Sequence, residues 1–401
     1  VTAKRILVFA MALLLLAPAL ALGKTVPGVT AKTITVGVST PLSGGAALWG
    51  TTALGMKAWA DYVNSQGGVC GRKINVIIMD DGYNPTRTMI NLKQMRKKVF
   101  AVVGLLGSAP NAAAKNFFPK YKIPLVTAYA NCMIFAKQPK KKQRWYFITY
   151  PDYENENALL TTFAINKLHA KKIAHFYQND DFGNQAKAGV MDALKKAKGK
   201  AKLVASIPYE FTERALTSYA LKLKASGADT VILTTSPIHT IIMVKTLAKI
   251  GYKPHILTNF TVGDPIFYKL AGPAYEGIYI SAAGNTGMPG ADPAADRVAN
   301  ILKKFNPKLK GREYLAVFGA VSMMHFVEGV KRACPRLTRR NLIKALETIH
   351  NWRPEGMGAP VTYTRNRHHG VNAVRMSRAV KGKILPLTPG LKGYSIFKPR
   401  F

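Results

Sequence analysis

Acidic side chains are scarce in this 401-residue chain: 20 Asp plus Glu stand against 58 Lys plus Arg, a formal net charge of +38. A surplus serving nucleic acid would gather in one stripe with interleaved aromatics. Here the cationic clusters at residues 137–144, 195–202, 303–312 and 331–340 are scattered and read as exposed helix faces and loops, so nucleic acid is not expected as a partner. Few carboxylates also means few native ion pairs to lose on acidification, and the composition reads as adaptation to an acidic external medium. Cysteine is sparse as well. Cys70, Cys132 and Cys334 lack CxxC spacing and a His at ligand spacing, which argues against a zinc site. One disulfide plus one leftover thiol, or buried unpaired thiols, both stay open.

Long apolar runs are missing too. The run at residues 6–16 is eleven residues long, short of the roughly 20 that cross a bilayer. It follows Lys4 and Arg5 and precedes Ala19-Leu20-Ala21, the layout of a cleavable signal peptide over residues 1–21. Position 22 is Leu rather than Cys, so a soluble periplasmic protein is expected, not a lipid-tethered one. Catalytic motifs are absent: there is no GxGxxG fingerprint with its acid, no HExxH, no GxSxG and no Walker loop. The pair His368-His369, adjacent in a tail strand, is expected at the surface. No enzyme activity, catalytic residue, metal or cofactor is expected.

What the chain does contain is 48% apolar residues in two series of alternating strand and helix patterns. Strands at 33–38, 73–79, 100–104 and 125–128 enclose helical patterns at 55–64, 85–98 and 109–121. After residue 150, helices at 155–167, 183–197, 216–226 and 239–250 alternate with strands at 172–177, 202–207, 230–234 and 255–257. Strands separated by such helices imply parallel sheets covered on both faces. A Gly/Pro-rich stretch at 284–293 precedes helices at 294–305, 314–334 and 338–350 and a short β-rich tail. Ligands of such sheets sit beyond the carboxyl ends of the strands, near helix N-termini. That directs attention to loops 40–51, 104–111, 128–133, 178–183, 235–240 and 258–265.

Around these loops the segments ITVGVSTPLSGGAALWG, GMKAWADYVNSQGGVCGRKINVIIMDDGYNPTRTM, VVGLLGSAPNAAA, KIPLVTAYAN, YQNDDFG, ADTVILTTSP and EGIYISAAG follow in order. In this series the chain resembles the type I periplasmic solute-binding proteins, in particular the branched-chain amino-acid (leucine/isoleucine/valine) receptors of ABC importers. The resemblance implies an α/β fold of two Rossmann-like lobes with a ligand cleft between them. It also implies three crossings, near 150–154, 284–293 and 356–360. The N-terminal lobe would comprise 33–150 and 285–358, the C-terminal lobe 151–284 and 359–401. The implied function is extracytoplasmic capture of a branched-chain or other amino acid by a monomer that delivers it to a membrane permease with ATPase subunits. Carboxylate or amide binding, or sensing, is the alternative.

The resemblance also implies the site. In the first lobe, Gly107, Ser108, Ala128, Tyr129, Ala130 and Asn131 would hold a ligand carboxylate through backbone N–H groups and a hydroxyl. Trp49 would serve as an aromatic lid and Tyr153 as a second aromatic wall. Asp180, Asp181, Phe182, Ser236 and Asn259 would contribute from the second lobe. Ser108 can also cap the helix that follows it, Asp181 can cap the helix from Gly183, and Asp264 can start a turn before Pro265. A buried ammonium needs an acidic partner. No unambiguous acid stands at 258–260, so an aromatic or aliphatic carboxylate, or an amide, fits as well as an amino acid.

Overall fold

The computed structural model describes residues 26–284 and 286–401, and the leader expected over 1–21 lies outside them. Strand β1 (Thr33–Thr40), rich in β-branched residues, is buried along most of its length and runs parallel to β2 (Lys73–Asp80) and β3 (Ala101–Val103). With β4 (Leu125–Val126) the order is β2-β1-β3-β4. The second sheet adds β5 (Lys172–Gln178), β6 (Lys202–Tyr209), β7 (Thr230–Thr234), β8 (His255–Thr258) and β9 (Tyr279–Ala283). It is completed by β10 (Ala373–Val380), β11 (Lys383–Pro386) and β12 (Tyr394–Ile396), in the order β11-β10-β9-β8-β7-β5-β6 with β12 beside β10. Strands β5 to β9 are parallel, and β10 turns antiparallel against β9, β11 and β12. No described helix is long and apolar enough to cross a membrane.

Two lobes follow from the path of the chain. After β4 it builds β5 to β9, returns with helices Pro293–Phe305, Glu313–Ala333 and Arg339–Leu346 to the first core, and enters the second sheet again as β10. The tail is shared. Val361, Tyr363 and Phe401 bury their side chains in the first core, while β10 to β12 extend the second sheet.

Helix Glu313–Ala333 is buried nearly all round and lies against helix Thr51–Ser65 at backbone contact. A Cβ on Gly55 would stand 2.0 Å from the Ala316 carbonyl oxygen, and one on Gly319 1.9 Å from that of Thr52. The two glycines set the approach of the helices.

Local chemistry explains the departures from the sequence reading. The helix expected over 109–121 is two, Ser108–Ala114 and Phe117–Tyr121. Pro119 has no N–H for the carbonyl of Lys115, and its ring crowds that carbonyl. The Tyr146 hydroxyl donates to the Lys115 carbonyl instead. Cys70 and Cys334 form a disulfide with Cα atoms 6.1 Å apart, tying the turn before β2 to the end of helix Glu313–Ala333, and Cys132 is a buried free thiol.

The surface placement of His368 and His369 is overturned, for both are buried. They do not sit in a regular strand with alternating faces. His368 stacks on Phe147 at 4.1 Å and lies 3.3 Å from Glu347. His369 donates through Nε2 to the Tyr150 carbonyl (3.0 Å) and accepts from the Arg400 N–H (3.1 Å). Their backbone N–H groups both donate to the Phe401 carbonyl. Alongside them the buried Asp152 carboxylate accepts from the Glu154 N–H, the Gln185 amide and the Arg400 guanidinium.

Candidate ligand-binding cleft

Between the lobes lies a cavity of about 450 Å³, counting its opening to solvent. The 3-10 turn Gly44–Gly50 carries Trp49 over it, and the indole N–H donates to the Thr261 carbonyl of the other lobe (2.9 Å). Tyr83, in the loop after β2, packs its ring at a tilt against Phe211 of the second lobe with centroids 4.7 Å apart. Its hydroxyl donates to Asp180 Oδ2 (3.2 Å) and accepts from the Gln178 amide (3.3 Å). The Asn131 amide donates to the Asp181 carbonyl (2.9 Å). These three links cross from lobe to lobe, so the conformation is closed.

The first-lobe wall is built on the loops after β1, β3 and β4. Gly107 has φ +105°, and a Cβ there would stand 2.6 Å from the Tyr83 ring, so glycine alone fits this corner. Ser108 follows it and lines the cavity. Its Oγ accepts the Asn131 N–H (3.0 Å), which leaves the hydroxyl proton free to donate. Tyr129 lines the same side, its own hydroxyl spent on the Phe318 carbonyl and Ser322.

The rest of the lining is aromatic. Tyr150 and Tyr153 come from the first crossing, Phe182 from the start of helix Asp181–Lys196, Phe260 and Thr261 from the loop after β8. Tyr314, Leu315 and Phe318 come from the first turns of helix Glu313–Ala333. No Lys, Arg, His, Asp or Glu side chain lines the cavity among the described residues. Its polarity rests on Thr52, Ser108, Thr261 and the tyrosine hydroxyls.

Of the residues singled out from the sequence, the structure gathers Trp49, Gly107, Ser108, Tyr129, Tyr153 and Phe182 around the cavity. The others stand back from it. Ala128 and Ala130 are buried behind the first-lobe wall, and Asn131 serves as a strut between the lobes. Asp180 caps helix Asp181–Lys196 through the Phe182 and Gly183 N–H groups, and Asp181 turns its side chain to the exterior. Ser236 is engaged with His239 and the Tyr209 hydroxyl. Asn259 caps the turn Phe260–Val262 by accepting the Thr261 N–H (3.0 Å). Asp264 does more than start a turn, because its second oxygen accepts the Leu315 N–H (2.9 Å) and fixes the helix that carries Tyr314 and Phe318.

Tyr83 and Phe318 are walls that sequence reasoning does not pick out. Tyr83 is positioned by a left-handed φ of +64°, unusual for a residue with a side chain, at the end of the one first-sheet loop not singled out. Phe318 reads as one more apolar residue of a buried helix.

The family model described as periplasmic binding protein matches residues 33–383. An "amino acid binding protein" of Pseudomonas aeruginosa is 25% identical over 207 residues, 49% of this chain and 52% of that protein, so the match spans about half its length. The structure of a fatty acid ABC transporter substrate-binding protein from Thermomonospora curvata superposes with TM-score 0.80, 24% identity and 94% coverage of both chains. That of a solute-binding protein from R. palustris in complex with 4-hydroxybenzoate gives TM-score 0.77, 18% identity and coverage of 92% of this chain and 98% of that one. At these identities the structural likenesses show a shared fold.

Proposed function

The chain belongs to the periplasmic binding protein family, and from that premise we propose that it captures a small organic acid or amide with an aromatic or branched apolar body and passes it to an ABC importer. The observation that carries the reading is a cavity with aromatic walls, a free hydroxyl donor at Ser108 and no charged side chain in its lining. A donor without an opposing carboxylate matches a ligand that presents an acceptor but no ammonium, since a buried cation left unpaired is strongly disfavoured. The proteins it resembles span this breadth: they are an amino acid binding protein, a fatty acid transporter's substrate-binding protein and a solute-binding protein in complex with 4-hydroxybenzoate. We place the protein outside the cytoplasm on the strength of the family, acting as a receptor and not as an enzyme.

A thermal-shift panel of amino acids, aromatic acids, short branched fatty acids and amides tests this. Ligand at one hundred times its Kd stabilises the native state by about 2.7 kcal/mol, a rise of a few degrees. Aromatic or branched acids or amides should give that rise. Stabilisation by amino acids alone would overturn the assigned class, and stabilisation by nothing in the panel would overturn the receptor reading. With the best ligand, Ser108→Ala should weaken binding roughly tenfold or more, because a hydrogen bond to a charged group contributes about 1.5–3 kcal/mol. An unchanged Kd would remove Ser108 from the site.

A further inference from the structure

Behind the second-lobe wall lies a carboxyl that solute capture itself does not use. Glu156, in the first turns of helix Tyr153–Lys167, is wholly buried. Its Oε1 accepts the backbone N–H of Phe260 (2.9 Å) and the Ser281 hydroxyl, while its Oε2 has no hydrogen-bond partner. Phe260 is a wall of the cavity, with its ring 4.8 Å from Tyr150 and 6.0 Å from Phe318, so the Glu156 bond holds a residue that touches the opposite lobe.

The groups that feel this carboxyl are Asp152 and Tyr153 at the start of its own helix, Tyr150 from the first crossing and Tyr314 from helix Glu313–Ala333. Ser281 reaches it from β9 and Phe260 from the loop after β8. No cation is among them.

We propose that Glu156 is a positioning residue for closure of the cleft: neutral, it seats Phe260 against Phe318 and Tyr150, and its ionisation drives the lobes apart. The proposal rests on the reading of the cleft as a closable solute site. An ionised Glu156 in the closed form would keep one oxygen dry and without a donor, with Asp152 adding repulsion. In this proposal opening moves Phe318 and Tyr314 away from Phe260 and so lets water reach the carboxyl. Burial, with Asp152 beside it, pushes the Glu156 carboxyl up to about 7, against hydrogen bonds from Ser281 and Phe260 that pull it down.

A hydrated glutamate titrates near 4.3. The closed form therefore keeps a proton that the open form releases between about pH 4.5 and 7. Across that window the closed-to-open ratio falls as pH rises, by up to tenfold per unit for one proton.

The test measures lobe separation by pulsed electron paramagnetic resonance, with nitroxides on Lys93→Cys and Lys222→Cys, in the full mature chain without solute. The closed-to-open ratio should fall about tenfold or more between pH 5.5 and 7.5. Glu156→Gln keeps an acceptor for Phe260 and Ser281 but cannot ionise, so its distances should stay closed and flat with pH. Ser281→Ala removes a bond that favours the ionised form and should shift the midpoint upward. A pH-independent wild type, a Glu156→Gln profile that follows the wild type, or an unshifted Ser281→Ala midpoint would each overturn the proposal. Failure of the receptor reading would show separately, as a panel in which no solute stabilises the protein.

Discussion

Acidification from pH 6.5 to 4.5 is expected to weaken the fold by about 2 kcal/mol per pH unit. The cause is a set of four histidines buried in neutral form. Burial holds His175 down to about 3, with Lys187 adding to the effect, and holds His239, His325 and His369 down to about 4. Once unfolded they titrate near 6.5. A group whose folded pKa is depressed in this way contributes stability above the unfolded value, and that stability is lost as pH falls toward the folded one.

Two buried acids act in the opposite sense. Burial raises both Glu156 and Asp264 to about 7, so the folded state holds two protons that the unfolded chain releases until pH nears 4. Asp81 and Asp180, also raised by burial, add to this side at the acid end of the window. Four histidines against two acids leave a net uptake on unfolding that averages about one and a half protons across the range, each about 1.4 kcal/mol per pH unit.

This prediction runs against the expectation of an acid-adapted protein, and the unfolding profile decides between the two. Scarce carboxylates remove one source of acid sensitivity, but the buried imidazoles install another. Urea unfolding at pH 7, 5.5 and 4.5 should show midpoints that fall steadily at constant slope. Midpoints that hold or rise on acidification would show that the imidazoles do not govern the response. His325→Gln should flatten the profile by about one proton.

Gly319→Val is expected to destabilise the protein by about 3 kcal/mol or more and to abolish stabilisation by solute. Its Cβ would meet the backbone of Thr52, not a flexible side chain, so relief requires the two long helices to separate. Those helices carry Thr52, Leu315 and Phe318 into the cavity, and moving them apart opens the wall opposite Phe260. Gly55→Val should act alike from the other side, through the Ala316 carbonyl. Lys331→Val places the same β-branched residue on the exposed end of the same helix, away from the crossing, and should change the melting temperature little. A Gly319→Val protein that melts like wild type and still responds to solute would show that the close crossing is dispensable.

Much of the architecture is legible in the chain because strand and helix periods differ and the apolar runs are short. The two βα series and the strand-end loops bearing Trp49, Gly107, Ser108 and Phe182 follow from that patterning together with the family resemblance. What is not legible depends on long-range packing or on unusual backbone. Tyr83 reaches the cleft through a left-handed φ of its own, directly after that of Gly82. Phe318 and Tyr314 come from a helix some two hundred residues beyond the loop of Ser108, and their face is decided only by the crossing at Gly55 and Gly319.

The acids and histidines show the same limit. Asp181 and Asn259 look like ligand groups from their place at strand ends, yet the first turns outward and the second spends its acceptor on a local cap. Adjacent histidines in a regular strand would face opposite sides. Instead, residues 368–369 are wedged between the first crossing and the tail, where isolated bridging to Ile148 replaces a ladder.

The proposed function requires that the aromatic cleft take an acceptor-bearing solute without an ammonium group. Matched titrations of 4-methylpentanoate against leucine, and of 3-phenylpropanoate against phenylalanine, isolate that group while keeping the apolar body nearly constant. Calorimetry should show at least one of the two acids binding more than tenfold tighter than its amino-acid counterpart, with little dependence on salt. Tighter binding of leucine or phenylalanine would contradict the account and require an acidic partner for the ammonium inside the cleft.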